Sequence, residues 1–156
     1  MMFWLSALTV VMVDQWTKSW VMDHFTLNAS KEMFGEFIKL TYTRNPGIAF
    51  SLFADGASDW RHPLLVGVTF VVIAFLVFSW KKFEAAGPEQ AMGYGLILGG
   101  AIGNLIDRFQ YQAVIDFIDV GVGLNRWPVF NVADSAICVG AVVALFLGMF
   151  FDSSHR

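Results

Sequence analysis

The chain has 156 residues, enough for one domain. Hydrophobic residues make up 56% and charged residues 15%. Mean hydropathy is +0.59, and a soluble domain carries about 25% charge, so the composition points to the membrane. A net charge of −3 does not supply the basic face that a nucleic-acid partner requires, and the single cysteine, Cys138, rules out an intrachain disulfide.

Four stretches are apolar enough to cross a bilayer, which takes about 20 residues. The first, about residues 3–22, contains Asp14 and Lys18. It lacks the basic start and small-residue cleavage site of a signal peptide and reads as a retained helix. A loop of about forty residues follows. Within it Glu36–Arg44 alternates like a strand, and Asn45-Pro46-Gly47 and Ala54-Asp55-Gly56 read as turns. The second span, about 64–80, has no charge. A short charged turn with Gly87-Pro88 leads to the third, about 91–108, in which Gly95, Gly99 and Gly103 recur at a spacing that lets helices approach closely. The loop to Val129 holds a second strand-like run, Ala113–Val120. The fourth span, about 131–151, carries the same small-residue stripe at Gly140, Ala144 and Gly148. Backbone exposed to lipid must bond within its own segment, so the spans should be helices. The expected fold is an all-α membrane protein of four transmembrane helices, with a small sheet formed by the two long loops, in a single domain.

Alternating helices bring the unusual polar residues to one side. Asp14 and Lys18 lie late in the first span, Asn104, Asp107 and Arg108 end the third, and Asn131 and Asp134 open the fourth. A charge at mid-bilayer costs about 2.5–3.5 kcal/mol on insertion scales. The i, i+4 pairing of Asp14 with Lys18 offsets part of that cost. Arg108 can snorkel to the interface. Asn131 is a favoured N-cap, and an acid three residues later suits the helix dipole. Each feature therefore has a purely structural explanation.

The available chemistry narrows the choice. The histidines His24, His62 and His155 are scattered, and no H-E-x-x-H or Cys/His cluster is present. No G-x-S-x-G occurs, and Ser79-Trp80-Lys81-Lys82 has the S-x-x-K spacing on the wrong side of the bundle. Two carboxylates sharing one proton would supply both the base that activates water and the acid that protonates the leaving nitrogen. Asp134 is one candidate. Asp116 is the other, although Asp119 could take its place on sequence grounds alone.

At this point several blocks match a family. They are Asp14-Gln15-Trp16-Thr17-Lys18, Asn45-Pro46-Gly47-Ile48-Ala49-Phe50-Ser51, Gly99 through Arg108, Val114-Ile115-Asp116-Phe117, and Phe130-Asn131-Val132-Ala133-Asp134. They occur in order from first span to last, and the chain resembles signal peptidase II, the bacterial prolipoprotein signal peptidase. The resemblance implies an aspartic endopeptidase of the bacterial inner membrane that acts without metal or organic cofactor. It implies cleavage of diacylglyceryl-modified prolipoproteins just before the lipidated cysteine, and sensitivity to globomycin-type inhibitors. By motif, Asp116 and Asp134 are its catalytic pair. Asp14, Lys18, Asn45, Gly47, Asn104, Arg108, Asn131 and Ala133 are its substrate-binding or site-supporting positions. The expected partners are prolipoproteins and membrane lipid, with no nucleic acid, and the expected state is a monomer. Both termini are expected in the cytoplasm, with the site on the extracytoplasmic side. A bare count of cations argues the reverse. Lys31, Lys39, Arg44, Arg61, Arg108 and Arg126 lie on the loop side, against Lys81, Lys82 and Arg156 on the other. The rival readings are a small ion-coupled transporter, in which buried acids line a proton path, and a non-enzymatic assembly subunit.

Overall fold

The structure, a computed structural model, describes residues 1–47 and 60–151. Four long helices carry a sheet at one end. In chain order these are α1 (Met2–His24), β1 (Ser30–Phe34), β2 (Ile38–Asn45), α2 (Arg61–Ala86), α3 (Pro88–Tyr111), β3 (Val114–Val122), β4 (Asn125–Arg126) and α4 (Val132–Phe151). Helices α1, α2 and α3 run beyond the expected spans, and α4 matches the fourth to within one residue. The expected strands appear as β2 and β3, while β1 and β4 were not anticipated. The turn expected at Ala54-Asp55-Gly56 lies outside the described residues.

Helix α3 is the centre, packed against α1, α4 and α2. Its glycines explain why. A Cβ at Gly99 would stand 2.6 Å from the Ala7 carbonyl oxygen and 2.7 Å from the Val10 Cβ, so only a bare backbone lets α1 come this close. On the other side of α3, a Cβ at Gly100 would meet the backbone of Ala133 and the side chain of Ile137 on α4. The buried positions of α1 are Phe3, Ala7, Val10, Asp14, Lys18 and Val21, a single stripe at steps of three and four. Asp14 and Lys18 therefore face the protein, not lipid.

Among the described residues, one helix segment, His62–Ala86, is long and apolar enough to cross a membrane on those measures alone, with a mean hydropathy of 2.4. Val132–Phe146 is apolar but shorter. Helices α1 and α3 carry too much polar character to stand out, because their acids, lysine and glycines are turned inward.

The sheet is an antiparallel meander in the order β1-β2-β3-β4. Strand β1 is exposed throughout, whereas Val114–Phe117 of β3 is buried. Val21, Tyr42, Ile115 and Phe117 form the core that seats the sheet on the helices. A second cluster of Phe3, Ala7, Leu76, Phe83, Ala91 and Leu98 fills the opposite end of the bundle. Between β2 and β3 the register shifts between Leu40 and Thr43, and beyond the shift Thr43 lies opposite Asp116. That register sets Asp116 in the buried half of the strand.

Candidate active site

The site starts from the way α4 begins. Asn131 caps the helix. Its side-chain Oδ1 accepts the Asp134 N–H (2.8 Å), and the Asp134 Oδ2 accepts the Asn131 N–H (3.2 Å). This is the reciprocal capping box expected of an Asn and an acid three residues apart. The cap also has a second effect. With Oδ1 committed to a backbone donor, the Asn131 Nδ2 must face the other way, where it donates to Asp116 Oδ1 at 2.7 Å.

Two more asparagines are fixed by the same logic. Asn45 Oδ1 accepts the Gly47 N–H (2.9 Å), which leaves its Nδ2 to donate to Asp116 Oδ2 (3.0 Å). Gly47 takes φ +97, a conformation L side chains rarely adopt, and a Cβ there would collide with Leu65. Asn104 Oδ1 accepts from Lys18 Nζ (3.1 Å) and from Asn131 Nδ2 (3.2 Å), so its own Nδ2 donates to Asp134 Oδ1 (2.8 Å). Turning that amide over would set donors against an ammonium that can only donate. Three amides thus aim N–H groups at the two carboxyls.

Behind them lies a buried ionic cluster. Lys18 Nζ sits 2.8 Å from Asp14 and 2.7 Å from Asp107. All three residues are at most 1% exposed. Two acids around one lysine leave an excess of negative charge, and N–H donors meet it. Ala133 N–H donates to Asp14 (2.9 Å), Ile115 N–H to Asp107 (3.0 Å), and Gln15 Nε2 to both acids. Lone buried charges are costly unless paired and hydrogen-bonded in this way. The cluster therefore joins α1, α3, β3 and α4 at one point.

Arg108 donates from Nη1 to the Asn104 carbonyl (3.1 Å), and its charge acts on Asp134, Asp107 and Asp116. The carboxyl of Asp116 is 2% exposed. Burial pushes it up to about 7, and the Asp134 charge adds to the rise. The Asn45 and Asn131 hydrogen bonds and Lys18 oppose it. Asp116 and Asp134 share a cavity of about 570 Å³ with Asn45, Gly47, Asn104 and Arg108. A smaller groove of about 330 Å³ leads from Asn104, Arg108 and Asp134 along the apolar faces of α2 and α4.

All ten positions singled out in the sequence lie in this cavity or in the cluster behind it. Asp119 does not join them. Three residues from Asp116 along a strand it points to the opposite face, where it binds Arg126 (2.6 Å) and Thr41 (2.9 Å). Asp107 and Gln15 were missed. Asp107 drew attention only as a polar residue ending the third span, although its place one turn after Asn104 sets it on the same helix face. His62 was also set aside. Its Nε2 lies 3.0 Å from the Arg108 carbonyl and ties the start of α2 to the end of α3. Among the described residues no group of His, Cys, Asp and Glu has the arrangement of a metal site.

A family model described as signal peptidase (SPase) II matches residues 6–151. A lipoprotein signal peptidase of Psychromonas ingrahamii is 42% identical over 147 residues, covering 94% of this chain and 83% of the relative. One from Yersinia enterocolitica is 43% identical over 145 residues, with 93% and 84% covered. A bacterial membrane enzyme structure solved by the in meso method at 2.3 Å resolution superposes with a TM-score of 0.81 at 28% identity, over 97% of this chain and 89% of that one. A second, at 1.9 Å resolution, gives 0.76 at 28% identity, with 94% and 90% covered.

Proposed function

The chain belongs to the signal peptidase II family, and from that premise we propose that it removes the signal peptide from prolipoproteins with Asp116 and Asp134 as its catalytic carboxyls. Membership makes it a membrane aspartic peptidase. The observation that supports this pair is the set of three fixed asparagine donors, which hold two carboxyls from different elements on one cavity. A carboxyl raised to about 7 keeps a proton in near-neutral solution. One member of the pair then activates water, and the other protonates the leaving nitrogen. Arg108 and the asparagine amides orient the substrate carbonyl and steady the charge that develops on it.

The substrate is a prolipoprotein with a diacylglyceryl group on the cysteine that follows the cut. Its acyl chains and signal helix occupy the apolar groove along α2 and α4, which opens directly beside Asp134. Four membrane crossings fit this reading. At about 1.5 Å per residue, helices of 23, 26, 24 and 20 residues all reach about 30 Å, the thickness of the hydrocarbon layer. The protein acts in the bacterial inner membrane as a monomer, with both termini in the cytoplasm and the sheet outside. The apolar cluster that fills the opposite end of the bundle speaks against an ion path.

Purified protein in detergent with a lipidated prolipoprotein tests the assignment. Asp116→Asn and Asp134→Asn should each abolish cleavage while retaining the fold, and Asp119→Asn should cleave at a rate near the parent's. Full activity in either of the first two removes that residue from the pair.

A further inference from the structure

The edge of the sheet nearest the carboxyls is left open. After β4 the chain runs on beside β3 as an irregular strand. Trp127 N–H donates to the Val120 carbonyl, and Phe130 exchanges both of its backbone hydrogen bonds with Ile118. Three residues on this side span two on β3, so the segment bulges at Pro128, which has no N–H to give. Next to a residue whose N–H and C=O both face the neighbouring strand, the following groups face away. Those of Val129 do so, and among the described residues they have no partner. Val129 and Phe130 line the same cavity as Asp116 and Asp134.

We propose that the Val129 backbone is the substrate-binding edge of this site: it pairs as a β-bridge with an extended residue of the prolipoprotein two or three positions from the scissile bond. The Val129 N–H donates to that residue's carbonyl, and that residue's N–H donates to the Val129 carbonyl. Adding an extended peptide to an open edge takes its affinity from main-chain bonds and so tolerates many side chains. The register sets the distance. Phe130 lies opposite Ile118, Asp116 is two residues back toward the start of β3, and Val129 is one residue in the other direction, level with Asp119. Three residues at about 3.4 Å each separate the bridge from the acid by about 10 Å. Pairing at Val129 therefore sets the reach to the carboxyls, so the edge acts as a ruler as well as a grip.

The proposal rests on the catalytic assignment above, and the test separates the two. A synthetic diacylglyceryl-modified prolipoprotein peptide is made with each amide within four residues of the cut, except the scissile one, replaced in turn by an ester. An ester removes one N–H and leaves the side chains in place. Losing one neutral hydrogen bond lowers kcat/KM by about three- to tenfold. One position, two or three residues from the cut, should show that loss while the others stay within about twofold of the parent. If the parent is cleaved and no position responds, the edge is not used. If the parent is not cleaved at all, the functional reading fails and the edge with it. Val129→Pro removes the protein's donor. If it remains folded in detergent it should lose activity to a similar degree, and an unchanged kcat/KM would overturn the assignment to Val129.

Discussion

At the scale of single residues, the site is organised by what each amide is denied. Asn45, Asn104 and Asn131 have their oxygens occupied by Gly47 N–H, Lys18 and Asp134 N–H, so their nitrogens are left for the acids. The cost of this arrangement falls on Asp116, whose burial raises its carboxyl to about 7 from 3.8. Between those values the folded protein holds a proton that the unfolded chain has lost. The folded state then binds more protons, so stability falls as pH rises through that window. Three units correspond to something on the order of 4 kcal/mol. Unfolding measured in detergent from pH 5 to pH 8 should show this decline, and Asp116→Asn should flatten it. Activity follows the same proton. Once the pair has lost it, neither carboxyl can protonate the leaving nitrogen, so kcat/KM should fall above about pH 7. A kcat/KM still rising at pH 8 would place the shared proton elsewhere.

At the scale of elements, α3 does most of the positioning through residues with no side chain. Gly99 and Gly100 admit α1 and α4 to either side of it, and Gly103 leaves room for the Asp14 carboxylate 2.5 Å from where a Cβ would stand. Gly99→Ala should destabilise the protein by about 1–3 kcal/mol, because the atoms in the way are the Ala7 backbone and the Val10 Cβ. Gly67→Ala on α2 meets nothing within 4 Å and should be neutral or gain up to about 1 kcal/mol from helix propensity. Thermal unfolding of the two variants side by side reads the contrast. The Gly95, Gly99 and Gly103 spacing made the packing against α1 legible in the sequence, as apolar runs did the helices and alternation did β2 and β3, whereas Gly100, which admits α4, lies outside that stripe. The edge strands were not legible. Strand β1, Ser30–Phe34, is short, exposed and mixed in composition, and β4 has two residues, so neither carries a hydrophobic period. The role of Asp107 was hidden for another reason. Asp14 and Lys18 balance on paper, and only packing shows that Lys18 also faces a second acid from α3.

For the whole molecule, the direction it faces decides whether the cavity meets exported substrates. A bare count of cations on the short loops near the ends of the spans sets the sheet inside. Four of the six sheet-side cations are held by neighbours or line the cavity. Arg126 is held by Asp119 and by the Glu36 carbonyl, Lys39 pairs with Glu32, Arg44 lies over the Tyr111 ring, and Arg108 belongs to the cavity. Lys81 and Lys82, by contrast, lie near the C-terminal end of α2, close to the short connection to α3, within the stretch over which the rule counts cations. The orientation proposed above, with the α2–α3 turn inside and the sheet outside, is the one in which a protein being exported would present its cleavage region to the cavity. A reporter active only outside the cell, joined after the last residue, should stay silent, and the same reporter inserted at the β1–β2 turn near Gly35 should be active. The reverse pattern would turn the protein over and separate its site from exported substrates.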